Sequence, residues 1–538
     1  MGQATVLAKR EAAAAPADLA DEGCGVFFAL TASAAPDSLV RFVVGEDQAP
    51  GQLSKDDIAR ELGDPFATLL LAKGSFPRTA TGVFEAIDRA VGANDPLGAK
   101  TQMSFILGEG SQIAFTDAPS LNRSLRFVVT RGSSPDGPDL IVSAFFPNQA
   151  DDVELMAWDH TAGGFNFYRS LGQQGAWVLA GNSRHALVDP TQRKGPFESH
   201  RSGSFLMKEL RAPWINWHSP DANIFPTVFK ANDPRRKHPW FTNKEPQGAL
   251  VCENSVARPA MKRWAAARFK QAVGQDGTVA EPRGIMQQIL ETPTVNLISS
   301  HTSSQHAVSA ESVDLPQTFF IDSEALTEVL GLTAPPEFSV SGSVYAQSLQ
   351  TFDVRLDDEA GFTRPGDTHF AFVVPERANE DQEVLRHAIE VGLVTERLAA
   401  CLLMTDFPNP IFSDRRAALL SHVPEPATLG DFSQRTADAI LAAANGTPPD
   451  SPEHEFAERW DAGEGWKDAF DALLADYYSA VTTRLRSQDG FDGYFGLAES
   501  RRDRVRELPI FESRLLFAHT NLQKAKLVMR ADGSVAEG

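Results

Sequence analysis

The sequence predicts an α+β fold, β-rich and antiparallel in its N-terminal half and helix-rich in its C-terminal half. Two observations carry this. Between Thr101 and Gly181, short runs rich in Phe, Val and Leu follow one another with only Gly, Pro, Asp and Asn between them. That spacing is a pattern of hairpins rather than of strand–helix–strand crossovers. From Glu383 onward, apolar residues recur instead with the 3.6-residue period of helices.

In chain order, residues 1–24 form an Ala-rich leader expected to be disordered. GVFFALTA (25–32) and SLVRFVVG (38–45), separated by Pro36 and Asp37, predict two strands. Ser54 and Asp57 form a capping box ahead of a helix, with Asp where Glu is usual. Gly82 to Val91 predicts an amphipathic helix. The strand-like runs are MSFILGEG, LRFVVTRG, DLIVSAFF, VELMAWD, GFNFYRS and AWVLAGN, and Gly163-Gly164 marks a hairpin tip or bulge. After a Pro-rich stretch, Asn232 to Gln247, a helix is expected to open at Ser255. The helix GIMQQILE, the strand TVNLISSH, the strand QTFFID and a helix capped by Ser323 follow. FSVSGSVYA, QTFDVRL and THFAFVVP predict strands. Four helices then run from Glu383 to Ala444, with Thr395 and Ser413 as caps. Ala443 to His454 reads as a linker, and a long amphipathic helical region lies beyond it. The organisation predicted is thus a leader (1–24), a β-rich domain carrying the candidate site (25–250), a mixed α/β region (251–445) and a helical C-terminal region (446–538).

The totals agree with several folded domains. Cores stop growing beyond about 250–300 residues, and this chain has 538, of which 42% are hydrophobic and 22% charged. The formal charge of -21 repels phosphate backbones, so nucleic acid is not an expected partner. The one basic cluster, Arg235, Arg236, Lys237 and His238, is short and reads as a solvated loop. Three scattered cysteines (Cys24, Cys252 and Cys401) form no CxxC or CxxCH pair, which disfavours a disulfide framework, a Cys-rich zinc site and covalent haem. No apolar run approaches the ~18 residues of a membrane span. The N-terminus lacks a signal-peptide core, and a cytoplasmic location is expected.

The densest gathering of ionisable and aromatic groups is Pro196 to Phe225. It holds His200, Glu209, Arg211, His218 and Asp221 among Phe197, Trp214, Trp217 and Phe225. A mononuclear metal site needs two or three His with a carboxylate, facing an open position. His200, His218 and Asp221 supply those donor types. His218, with Glu209 and Arg211 on one face if that segment is extended, makes the candidate catalytic set. Trp214, Trp217 and Tyr168, beside Phe165 and Phe167, make the candidate wall for a cofactor. His160 and His185 sit on the preceding hairpins. The spacing includes no HxxxH, HxH or HExxH, so the competing reading is histidines bonded to local carbonyls beside packed tryptophans.

Three further places carry candidate chemistry. A Ser/His loop, 299–306, holds Ser300, His301 and His306, without a GxSxG elbow. His369 lies on a strand. Asp406, in MTDFPNP, is either a partly buried carboxylate with a raised pKa or the cap of a Pro-rich turn. Phosphate-binding loops and dinucleotide fingerprints are absent from the sequence. The expectation is therefore an oxidoreductase with a transition metal or non-covalently held haem, acting on a small organic molecule. The alternatives are a non-catalytic binding or assembly protein and a hydrolase using the 299–306 loop.

Overall fold

The computed structural model describes residues 34–92, 94–108, 125–132, 137–145, 153–172, 175–198, 200–204, 230–237, 249–299, 311–357, 363–365, 372–507 and 520–538. The described residues up to Trp264 form one compact unit, and those from Ala265 onward form a second.

The first unit is built on β1 (Leu39–Arg41), β2 (Gly51–Leu53), β3 (Met103–Gly108), β4 (Leu125–Arg131), β5 (Leu140–Phe145), β6 (Val153–Asp159), β7 (Gly164–Ser170) and β8 (Trp177–Asn182). They make one sheet in the order β2-β1-β8-β7-β6-β5-β4-β3. The six strands from β3 to β8 are an antiparallel meander, as the sequence predicts. The expectation of a purely antiparallel half is corrected at one place: β1 runs parallel to β8. Parallel neighbours need a long crossover, and the whole meander with its helices separates these two strands. Gly163, in the left-handed region, turns the β6–β7 hairpin as expected.

Helices α1 (Lys55–Glu61), α2 (Pro65–Leu69) and α3 (Ala80–Ala90) cover one face of this sheet. The Ser54/Asp57 capping box is present. Strand alternation then sorts the sheet residues. Val153, Leu155, Ala157, Tyr168, Trp177 and Leu179 join Phe66 and Ile87 in the core beneath these helices. Phe66 meets Tyr168 and Trp177 edge-on, with ring centroids 5.1 and 4.8 Å apart.

The helix expected to open at Ser255 instead begins earlier. α4 (Ala249–Cys252) passes through a wide π turn, Glu253–Ala257, into α5 (Arg258–Ala272). Pro259 has no N–H to donate to the preceding turn, and a widened turn is one way a helix continues past it. Ser255 lies inside that turn and caps nothing.

The second unit carries the helix-rich part. α6 (Pro282–Leu290), β10 (Val295–Ser299), β11 (Ser312–Leu315), β12 (Phe338–Ser341), α7 (Gly342–Thr351), β15 (Val373–Arg377), α8 (Asn379–Glu390), α9 (Glu396–Met404), α10 (Asp414–Ala418), α11 (Phe432–Ala444), α12 (Pro452–Trp460), α13 (Trp466–Arg484) and α14 (Gln488–Glu507) are its main elements. Its strands pair two by two: β9 (Thr278–Val279) with β16 (Ala427–Thr428), β10 with β15, β11 with β12, β13 (Arg355–Asp357) with β14 (Thr363–Pro365), and β17 (Leu527–Met529) with β18 (Val535–Glu537).

Three local expectations are corrected here. QTFFID is a 3-10 turn over Gln317–Phe319 rather than a strand, because Phe319 and Phe320 are both buried, which alternation forbids on a one-sided strand. FSVSGSVYA is half strand and half helix: Ser341 ends β12 and caps α7, accepting from the Val344 N–H at 3.3 Å. Ser323 is itself helical and makes no cap. Asp322 accepts the Ala325 N–H at 3.3 Å instead. Thr395 and Ser413 do cap α9 and α10. Ala443 to His454 joins α11 to α12, two helices of this same unit. Among the described residues, no helix is long and apolar enough to cross a membrane.

Candidate functional site

The face of the first unit's sheet opposite the helices is aromatic. Phe165 and Phe167 point there because they alternate with Asn166 and Tyr168 along β7. Phe165 packs edge-on against Trp158, at 5.0 Å, and Phe167 against Phe197, at 5.3 Å. The β7–β8 register shifts between Phe167 and Tyr168. Gly181 lies opposite Phe167 at φ 125, and a Cβ there would stand 2.9 Å from the Phe197 ring. Only glycine allows that ring to lie so close to the strand.

The 3-10 turn Ser183–Ala186 leaves β8 and folds back over this face. Asn182 caps it, and Ser183 accepts the Phe165 N–H at 2.8 Å. The turn His200-Arg201-Ser202-Gly203-Ser204 packs on top. Gly203, at φ 78, lies so close to the Ser183 carbonyl that a Cβ there would run into it. Trp264 closes one side. Its indole N–H donates to the Ser202 carbonyl at 2.7 Å, and the Arg184 guanidinium sits over its ring at 5.3 Å. Arg263 covers Trp158 at 4.1 Å and pairs with Asp139 at 2.8 Å.

His200 belongs to this assembly. Its ring lies 5.1 Å from that of Phe167, and its Nδ1 is 2.9 Å from the Ser204 carbonyl oxygen. A carbonyl only accepts, so the neutral ring carries its proton on Nδ1 and its lone pair on Nε2. His185 has the opposite arrangement. Its Nδ1 accepts the Asn182 N–H at 3.0 Å, which leaves the proton on Nε2, 3.2 Å from Glu46. His160 is largely exposed and lies 3.3 Å from Asp139. The three described histidines of the first unit therefore face different partners.

Tyr168 is not part of the aromatic wall. It points to the other face of the sheet, where its hydroxyl donates to Asp64 Oδ2 at 2.5 Å inside the core. Burial, then the Asp64 charge, push its phenol well above the ordinary range. His218, Asp221, Glu209, Arg211, Trp214 and Trp217 lie outside the described residues, as do Ser300, His301, His306 and His369. Among the described residues, no group of three His, Cys, Asp or Glu side chains gathers for a metal ion.

Asp406 holds the turn between α9 and α10. It accepts from Asn409 at 2.8 Å and Ser413 at 2.5 Å, at φ 52. Burial raises its pKa, and those two hydrogen bonds oppose the rise. Arg416 and Arg501, both buried, donate to the carbonyls of Asn409, Pro410 and Pro408 in the same turn. Both proposed roles for Asp406 thus meet in one residue, and neither involves a gathered set of reactive groups.

Sequence reasoning missed Trp264 and Arg184. The helix periodicity gives Trp264 a buried face but not a partner some sixty residues upstream. No match to this chain exists among protein-family models, curated proteins or solved structures.

Proposed function

We propose that the first unit is the catalytic body of an oxidoreductase acting on a small organic molecule. In this reading His200 would be one of the residues holding a transition metal or a non-covalently held haem. The observation that carries it is the 2.9 Å contact of His200 Nδ1 with the Ser204 carbonyl. A backbone carbonyl that accepts from the other ring nitrogen fixes the ring and its tautomer in metal-ligating histidines. Phe167, Phe197 and Trp264 supply a water-poor flank, which suits reactive intermediates. His218 and Asp221 complete the donor set, Glu209 and Arg211 orient the substrate, and Trp214 and Trp217 extend the wall. A bound metal or haem would supply the electron transfer. The protein is read as cytoplasmic, which the buried thiols of Cys252 and Cys401 fit.

The test is an absorption spectrum and metal analysis of the purified full-length chain, followed by the same measurements on His200→Ala and His218→Ala. A Soret band or stoichiometric iron, copper or zinc that both variants lose is the expected result. Full retention in both overturns the assignment. A second reading, a non-catalytic binding or assembly protein, is favoured by His185, whose two ring nitrogens are committed to Asn182 and Glu46. A colourless, metal-free wild type supports that reading.

A further inference from the structure

On the helix-covered face of the same sheet, two carboxylates are buried side by side. Asp64 is the N-cap of α2, accepting the Ala67 N–H at 2.9 Å through Oδ1. Its Oδ2 accepts from the Tyr168 hydroxyl at 2.5 Å and from Asn166 Nδ2 at 2.8 Å. The same Asn166 nitrogen reaches Asp159 Oδ2 at 3.2 Å, so one amide group serves both acids. Asp159 in turn holds the Gly63 N–H at 2.7 Å and, through Oδ1, the Thr161 and Ala162 N–H groups of the β6–β7 turn. Gly63 is required at this join, because a Cβ there would stand 2.7 Å from the Thr161 hydroxyl and against Asp159.

We propose that Asp64, Asp159, Asn166 and Tyr168 form an acid-tightened latch fastening the α1–α2 segment to the β6–β7 hairpin. Asp64 is wholly shielded from solvent and Asp159 nearly so. Among the described residues neither pairs with a Lys, Arg or His. The titratable groups facing Asp64 are Asp159 from β6 and Tyr168 from β7. The charged residues of the neighbouring α1 are solvated (Lys55, Asp56, Arg60 and Glu61) or, like Asp57, tied to Ser54 and Arg60. The carboxylate of Asp64 is therefore stabilised by hydrogen bonds alone, against both burial and a like charge.

Burial, only partly offset by the Tyr168, Ala67 and Asn166 hydrogen bonds, pushes the Asp64 carboxyl up to about 6 from an ordinary 3.8, with the Asp159 charge adding to the rise. The sign follows. A carboxyl whose folded pKa is raised binds a proton more tightly folded than open. The contribution is full below about 3.8, falls as pH rises, and is gone above about 6. The latch is tightest in mild acid and loosest at neutral pH, the reverse of a salt-bridged carboxylate.

The measurement is hydrogen exchange of the peptide spanning residues 62–72 in the full-length chain, corrected for the intrinsic pH dependence of exchange. Linkage at these pKa values predicts about tenfold greater protection at pH 5 than at pH 7.5. Asp64→Asn keeps an N-cap but cannot titrate, and should bring the ratio close to one. Should that variant fail to fold, Tyr168→Phe removes a donor that favours the carboxylate and should enlarge the wild-type ratio. Equal or lower protection in acid, a tenfold ratio persisting in Asp64→Asn, or an unchanged ratio in Tyr168→Phe overturns the latch.

Discussion

At the scale of single residues, the chemistry depends on what each side chain's second atom touches. His200 and His185 are both half-buried, one against Phe167 and the other against Phe197, yet a carbonyl on one Nδ1 and an amide on the other leave opposite nitrogens bearing the proton. Residue type alone does not distinguish them. Glycine placement is equally specific. Gly181→Ala would force a left-handed alanine against Phe197, and should cost about 1–3 kcal/mol in urea unfolding. A loss below half a kcal/mol would mean that the Phe197 ring moves aside without penalty. The ionised Asp64 costs the native state on the order of 3 kcal/mol at neutral pH relative to its protonated form, from the shift to about 6. Asp64→Asn should accordingly remove a stability gain that the wild type shows between pH 7 and pH 5.

At the scale of elements, ends matter more than middles. Arg377, the last residue of β15, donates to the carbonyls of Gln288 and Ile289 in the last turn of α6, at 3.0 and 3.1 Å. It also bonds Asp322 at 2.5 Å, and Gln382 donates to the same carboxylate at 2.9 Å. A guanidinium there satisfies carbonyls that a helix cannot satisfy itself. Arg377→Met leaves Asp322 buried without its cation, and should destabilise the second unit by about 3–5 kcal/mol in denaturant unfolding. A cost under 1 kcal/mol would show that the buried acid finds another partner. Ser54→Ala, by contrast, should cost about 1 kcal/mol, the usual worth of a cap. The elements most legible in the sequence were those with a strict period or a local cap: the meander from Met103 to Asn182, the Ser54 box and the helices from Glu383 onward. The misread ones were decided at a distance. Phe319 and Phe320 carry a strand-like composition but are buried on both sides, and SGSVYA holds β-formers whose helix is set by Ser341. In the candidate site, the nearness of His200 to Phe167 is legible in the sequence. Sequence proximity places Tyr168 with these rings, and the two-residue alternation of β7 sends it to the opposite face.

At the scale of the whole molecule, net charge governs encounters more than architecture. The formal charge of -21 predicts firm retention on an anion exchanger at pH 7 and passage through a heparin column in low salt. Retention on heparin would reveal a basic surface that the totals conceal. Both units carry their own buried cores, and in the first the chain's order of appearance conflicts with its order of pairing. Strand β1 lies between β2 and β8, yet Leu39 meets Trp177, about 140 residues later. On a ribosome adding about 5–20 residues per second, that leaves β1, with its buried Leu39 and Val40, waiting roughly 7–28 s for its parallel neighbour. During that interval the nascent polypeptide offers a ready hold for a chaperone.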